Sequence, residues 1–214
     1  MTINFDAISK IQKDIETVSP STELLIVTKN QNIEDIDNLI SRGYSNFGEN
    51  RVQEADKKFN LYLNENNHFL ELHLIGPLQT NKVKRALEIF NIIQSIDRKR
   101  LIDEISKEKI KQNKIRCFGY FLQVNIGEEK QKSGVLPKDL EDLYRYAIYK
   151  GLNVLGLMCI PPNDDDPEYY FALMKDLRNK INDKLKLSMG MSSDYETALN
   201  CGSNIIRVGS KIFL

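Results

Sequence analysis

The chain has 214 residues, of which 41% are hydrophobic and 28% charged, and its 30 lysines and arginines balance 30 aspartates and glutamates. That length and balance describe one globular domain with a single sizeable core, and they exclude a disordered or fibrous chain and a globally basic binder of nucleic acid. No apolar run approaches the roughly 18 residues of a membrane span, and Met1 to Asp6 lack the basic-then-apolar order of a secretory signal, so a cytoplasmic protein is expected.

Residues 3–18 carry Ile8, Ile11 and Ile15 at helical spacing and predict a polar helix that Ser19-Pro20-Ser21 stops. Residues 24–29 are an apolar run ending abruptly on Lys29. Consecutive β-favouring side chains there predict a strand buried on both faces, the kind found in parallel sheets covered by helices. Ile33, Ile36, Leu39 and Ile40 give a helical period closed by Gly43, residues 46–50 a short strand, and a polar helix starts near Arg51. Residues 70–76 predict a third strand, Thr80 caps a helix through Leu87, and residues 89–96 form a fourth strand.

A charged helix over 98–113 is expected to turn Leu101, Ile102, Ile105 and Ile110 inward. Residues 118–126 then predict a strand, 136–149 a helix with Pro137 in its first turn, and 154–160 a strand ending at Pro161-Pro162. Asp164-Asp165-Asp166 before Pro167 reads as an acidic cap, which explains the cluster without a metal. A helix to about Asp183, a strand over 187–191, a helix from about Ser193 to Cys201 and a strand over 205–212 complete the chain. Cys117, Cys159 and Cys201, far apart in apolar stretches, fit buried reduced thiols rather than a disulfide framework or a zinc site.

Eight strands alternating with helices predict a single α/β domain over residues 1–214, a (β/α)8 barrel of the TIM type. A doubly wound open sheet is the alternative, weakened by the number of units and by the lack of a G-x-G-x-x-G after the first strand. In a barrel, chemistry gathers at the carboxyl ends of the strands. The polar residues there are Lys29, Asn50, His73, Asp97, Asn125, the turn over 188–192 and Arg207.

Lys29 has two readings: its ammonium escapes to water where the strand leaves the sheet, or it is a carbonyl-reactive amine, which attacks in its neutral form. Ser188-Met189-Gly190-Met191-Ser192-Ser193 and Arg207-Val208-Gly209-Ser210 have the small residues that let backbone N–H groups approach a phosphate, or they are simply turns. An amine and a phosphate cradle across one mouth suggest a ligand with an aldehyde and a phosphate, and pyridoxal 5'-phosphate (PLP) has both.

The segments Leu25-Ile26-Val27-Thr28-Lys29, Asn46-Phe47-Gly48-Glu49-Asn50-Arg51-Val52-Gln53-Glu54 and His73-Leu74-Ile75-Gly76-Pro77-Leu78-Gln79-Thr80-Asn81-Lys82 carry a family resemblance. So do Gln123-Val124-Asn125-Ile126-Gly127 with Gln131-Lys132-Ser133-Gly134, Gly156-Leu157-Met158, Leu187-Ser188-Met189-Gly190-Met191-Ser192 and Arg207-Val208-Gly209-Ser210. In this order, over nearly the whole chain, they resemble the pyridoxal phosphate homeostasis protein family, relatives of the alanine racemase barrel once called proline synthetase co-transcribed proteins. The resemblance implies a barrel of the alanine racemase N-terminal-domain type without the second β-rich domain. It implies that Lys29 forms an internal aldimine with PLP and that Arg207 faces the pyridine nitrogen. It also implies that Ser192, Gly209 and Ser210 bind the phosphate and that Asn50 presents a polar group to the cofactor.

The function implied is a non-catalytic carrier in intracellular PLP (vitamin B6) homeostasis, a monomer that hands the cofactor to PLP-dependent apoenzymes and engages neither nucleic acid nor membrane. A PLP-dependent amino-acid racemase is the first alternative, although racemisation needs a proton acceptor on each face of the carbanion and no tyrosine stands at a predicted strand end. A phosphate-binding barrel enzyme that uses Lys29 as an ordinary base, without PLP, is the second. Gln131-Lys132-Ser133-Gly134 lacks the order of a nucleotide phosphate loop and reads as a solvated loop. Two departures from the family are Asn30, where a threonine is common, and the ending Ile212-Phe213-Leu214, for which a looser final turn is expected.

Overall fold

The computed structural model describes residues 2–64, 70–163 and 165–214. Its eight strands are β1 (Glu23–Val27), β2 (Asn46–Glu49), β3 (Glu71–Leu74), β4 (Ile92–Ile96), β5 (Gly119–Val124), β6 (Val154–Cys159), β7 (Lys186–Ser188) and β8 (Ile205–Val208). All pair in parallel with their neighbours in chain order, and β1 closes on β8 from Glu23 opposite Ile205 to Ile26 opposite Val208. That closure overturns the doubly wound alternative.

Helices α1 (Phe5–Val18), α2 (Ile33–Ser41), α3 (Val52–Asn64), α4 (Val83–Ile89), α5 (Lys99–Lys111), α6 (Leu140–Tyr149), α7 (Pro167–Ile181) and α8 (Tyr195–Asn200) cover the strands. Their starts follow from local chemistry: Asn4 Oδ1 accepts from Ala7 N at 3.0 Å, Asn32 Oδ1 from Asp35 N at 2.8 Å and Asp166 Oδ1 from Glu168 N at 3.0 Å, each satisfying an orphan helical N–H. Pro167 is the first residue of α7, as the acidic cap requires, while Asp164 lies outside the described residues. Thr80 does not cap α4; it opens a short 3-10 turn over Thr80–Lys82 that leads into it.

Two layers make the core. The larger lies between strands and helices, where Ile8, Ile11 and Ile15 of α1 and Leu101, Ile102 and Ile105 of α5 are buried. Ile110 is 85% exposed, because it stands about two and a half helical turns after Leu101 and so lies on the side of α5 away from the buried stripe. The smaller cluster, Leu25, Ile92, Phe121, Met158 and Ile205, fills the barrel interior. Side chains two apart on a strand share a face, so the same alternation that puts Leu25 and Ile205 inside also sends Val27, Gln123 and Arg207 inward, nearer the carboxyl ends.

The strands are shorter than the apolar runs suggest: β1 stops at Val27, β3 at Leu74 and β8 at Val208. The final turn is pinned rather than loose, since Ile3 bridges Phe213 and Asn4 N donates to Ile212 O at 2.8 Å. Cys117 and Cys159 are buried and free, and Cys201 is free and only half-buried. Among the described residues no helix is long and apolar enough to cross a membrane, and no group of His, Cys, Asp or Glu could hold a metal ion.

Candidate functional site

Lys29, Asn50, Ser192, Arg207, Gly209 and Ser210 all line one cavity of about 500 Å3 at the carboxyl ends of the strands. Lys132 lines it too, and no carboxylate does so among the described residues. Three cations and no acid make a wall suited to an anionic ligand.

Lys29 sits two residues beyond β1, in a turn, and is exposed rather than desolvated at a strand end. The chain turns there because Asn30 adopts φ 62, a left-handed conformation that asparagine tolerates better than a β-branched residue. That is the physical reason for asparagine at this position. Beneath the turn, Thr28 is buried and donates from Oγ1 to Glu49 Oε1 at 2.7 Å. Lys58 of α3 donates to Glu49 Oε1 at 2.9 Å, to Glu54 Oε1 at 2.6 Å and to the Thr28 carbonyl at 2.7 Å. Glu54 Oε1 in turn accepts from Asn30 N at 2.5 Å.

Both residues flanking Lys29 are therefore tied to one ionic cluster. Burial pushes the Glu49 carboxyl up despite Lys58 and Thr28. Partial burial pushes Glu54 the same way, but Lys58 and the Asn30 N–H outweigh it and hold that carboxyl below its ordinary value. This cluster is faint in the sequence: its one signal is a glutamate at the end of an apolar strand, followed by a glutamate and a lysine one turn apart on the next helix.

Arg207 is 4% exposed, with NH1 donating to Ser188 Oγ at 2.8 Å and NH2 to the Cys159 carbonyl at 2.8 Å. Burial lowers its pKa from the ordinary guanidinium value, yet a guanidinium keeps its proton in proteins. The neighbouring Cys159 thiol is pushed up to about 12 by burial, so it is neutral and forms no ion pair with Arg207. Arg207 therefore lines the cavity as a fixed cation whose remaining N–H groups are donors only.

Just past it in the chain, the N–H groups of Gly209 and Lys211 converge on Ser192 Oγ at 3.3 and 3.4 Å. Two backbone donors meeting at one oxygen mark a position that an anion's oxygens can share. Gly209 is small for a packing reason: a Cβ there would lie 3.0 Å from Val27 O. Gln123 lines the same cavity and leaves its Oε1 buried without a partner, an acceptor available to a ligand's donor.

The loop over 127–135 is solvated on its outer side, with Gln131 and Ser133 exposed, and its inner side reaches the cavity, with Lys132 and Gly134 half-buried. Lys132 and Ser133 line the cavity. Val135 pairs with the edge of β5, its N donating to Gln123 O at 2.9 Å and its carbonyl accepting from Asn125 N at 2.9 Å. Asn125 Nδ2 holds the Glu129 carbonyl at 2.8 Å, and Gln123 Nε2 holds that of Ser133 at 3.2 Å. Lys132 Nζ reaches Glu129 Oε2 at 2.5 Å and Pro161 O at 3.1 Å. Gly134 has φ +124 and would place a Cβ 2.4 Å from Asn125 N, so only glycine lets the loop fold back this closely.

His73 and Asp97 are not part of the mouth. His73 lies within β3, buried inside the barrel, and Asp97 pairs with Arg98 at 2.5 Å. Ser188 is likewise interior, reaching the site only through Arg207.

No protein-family model matches the chain. A curated relative, the pyridoxal phosphate homeostasis protein of Aquifex aeolicus, is 38% identical over 96% of this chain and 93% of its own length. The protein of the same name from Helicobacter pylori strain 26695 is 35% identical over 96% of this chain and 94% of its own. Among solved structures, PipY of Synechococcus elongatus with PLP bound superposes with a TM-score of 0.82 at 28% identity, covering 98% of this chain and 99% of that one. Alanine racemase of Corynebacterium glutamicum shares the fold, with a TM-score of 0.65 at 18% identity, and the chain covers 60% of it.

Proposed function

The chain belongs to the pyridoxal phosphate homeostasis protein family, and from that premise we propose that it binds PLP in the barrel-mouth cavity, attached to Lys29, and acts as a carrier that keeps the reactive aldehyde sequestered and passes it to apoenzymes. The observation that carries this reading is the placement of an exposed primary amine, a buried guanidinium and a backbone N–H pair around a single cavity.

Each group has a part. Lys29 attacks the aldehyde carbon as a neutral amine, and its two N–H hydrogens leave with the aldehyde oxygen as one water. Gly209, Ser210 and Ser192 hold the phosphate through backbone N–H groups and hydroxyls. Asn50 offers a polar contact from the end of β2. Arg207 donates to the ring nitrogen. A permanent cation there disfavours protonating the ring, and an unprotonated ring withdraws electrons weakly, which suits holding the cofactor more than catalysis with it. The lining favours a carrier over a racemase for a second reason: the other amine facing the cavity, Lys132, is tied to Glu129 and Pro161 rather than free to serve as a second base.

The test is the near-ultraviolet and visible absorbance of purified protein with added PLP, followed by borohydride reduction and peptide mapping. The expected result is a yellow band that reduction fixes on Lys29 and that Lys29→Ala shifts or abolishes. A wild type that stays colourless at saturating PLP would overturn the reading and leave a phosphate-binding barrel of other chemistry.

A further inference from the structure

Five polar side chains run in single file through the barrel interior. Arg207 NH1 donates to Ser188 Oγ at 2.8 Å, Ser188 Oγ meets Gln94 Oε1 at 2.6 Å, Gln94 Nε2 meets His73 Nδ1 at 2.7 Å, and His73 Nε2 meets Glu71 Oε1 at 2.7 Å. They come from β8, β7, β4 and β3, and Arg207, Ser188, Gln94 and His73 are all buried. Only Glu71, at the opposite end of the barrel from the cavity, is partly open to water. Inward-facing polar residues on four strands are costly unless each is satisfied by its neighbour.

We propose that Ser188, Gln94 and His73 are positioning residues for Arg207, joined in a hydrogen-bonded chain whose every link has one fixed direction. The direction follows from its ends. A guanidinium has donors only and an ionised carboxylate acceptors only. Since Ser188 Oγ accepts from Arg207, its own proton is free to go to Gln94 Oε1. That places the Gln94 amide nitrogen against His73 Nδ1, which must accept. His73 is therefore neutral, with its proton on Nε2 and donated to Glu71. The hydrogen bond with His73 holds the Glu71 carboxyl below its ordinary value, as an acceptor at the end of such a chain requires.

The structure offers Arg207 no second arrangement of equal quality. Turning the Gln94 amide over would set its N–H groups against Ser188 and its oxygen against His73 Nδ1, leaving the Ser188 proton without this acceptor and demanding a proton on Nδ1. With Ser188 Oγ committed to this chain and the Cys159 carbonyl accepting from NH2, the guanidinium is held in one orientation before any ligand arrives. What that orientation does for a bound ring nitrogen rests on the function proposed above; the chain itself does not.

The experiment has two arms. In the first, 15N NMR of the PLP-free protein reads the His73 imidazole at neutral pH, with His68→Gln leaving a single histidine to assign. A proton on Nε2 and none on Nδ1 is expected, and Gln94→Glu, which places an acceptor against Nδ1, should convert His73 to the doubly protonated form. An Nδ1-protonated tautomer in the wild type would overturn the chain. In the second arm, Ser188→Ala and Gln94→Leu should keep the borohydride-trapped adduct on Lys29 while shifting the absorbance maximum of bound PLP and releasing it about tenfold faster. Gln94→Glu should restore slower release than Gln94→Leu. Unchanged spectra and release rates in folded Ser188→Ala and Gln94→Leu would overturn the positioning role. A wild type that binds no PLP would sink the proposed function, and the first arm would still decide the chain.

Discussion

Glu49 and Lys58 meet at 2.9 Å beneath the turn that carries Lys29, with the Glu49 side chain wholly buried and Lys58 11% exposed. A buried ion pair adds little net stability when intact, but removing one partner strands the other. Lys58→Met should therefore destabilise the fold by about 3–5 kcal/mol, read as a shift in the urea midpoint. It should also slow formation of the Lys29 adduct, because Thr28 and Asn30 lose their common anchor. Glu49→Gln, which keeps an acceptor for Thr28, should cost less.

The same carboxyl makes a pH prediction. Its folded pKa is raised, chiefly by burial, so between the ordinary carboxylate range and the raised value the folded state binds more protons than the unfolded one. Glu49's contribution to stability must then fall as pH rises through that window. Urea unfolding of wild type and Glu49→Gln across mildly acidic pH should show the wild type losing stability relative to the variant with rising pH. A difference curve of opposite slope would refute the assignment.

Ser192 supplies the acceptor on which the Gly209 and Lys211 N–H groups converge. Ser192→Ala should weaken binding of PLP by about tenfold while leaving pyridoxal, which lacks the phosphate, nearly unaffected. Equilibrium dialysis with both compounds checks it; an equal loss for the two would move the phosphate elsewhere.

Gly134 combines φ +124 with a Cβ position 2.4 Å from Asn125 N. Gly134→Ala should cost roughly 1–3 kcal/mol of strain and lift the loop carrying Lys132 and Ser133 off the edge of β5. Thermal unfolding would report the first effect and faster PLP release the second.

Burial also predicts thiol chemistry. Cys159 is pushed up to about 12 and Cys117 to about 11, so neither offers a thiolate at neutral pH. A disulfide reagent should label Cys201 first in the folded protein and reach Cys117 and Cys159 only on unfolding, as mass spectrometry of timed samples would show.

The barrel was legible because its signal is local: apolar runs such as Leu24 to Val27 alternate with helical stripes such as Ile8, Ile11 and Ile15. The cavity-lining set was legible because a lysine just past a strand and glycine-serine turns past β7 and β8 need no tertiary knowledge to be noticed. What escaped depends on partners distant in sequence. His73 reads as a strand-end residue because a polar side chain in an apolar run usually marks an end, yet Gln94, 21 residues away, lets it sit inside. That the solvated loop bearing Lys132 also lines the cavity becomes visible only once Val135 is seen pairing with β5. Ile110 lies about half a turn out of phase with Leu101, so its apolar side chain alone, and not the period of α5, suggested burial.

β1 pairs with β8, so the turn bearing Lys29 and the segment Arg207-Val208-Gly209-Ser210 are neighbours in space while lying at opposite ends of the chain. During synthesis the amine emerges early and waits. Until β8 has left the ribosome and docked, the mouth around Lys29 has Asn50, Gln123, Lys132 and Ser192 but lacks Arg207, Gly209 and Ser210. Completion of the cavity wall and closure of the barrel are thus one event, and a chain arrested short of its last strand lacks the buried guanidinium and the Gly209 N–H that complete it.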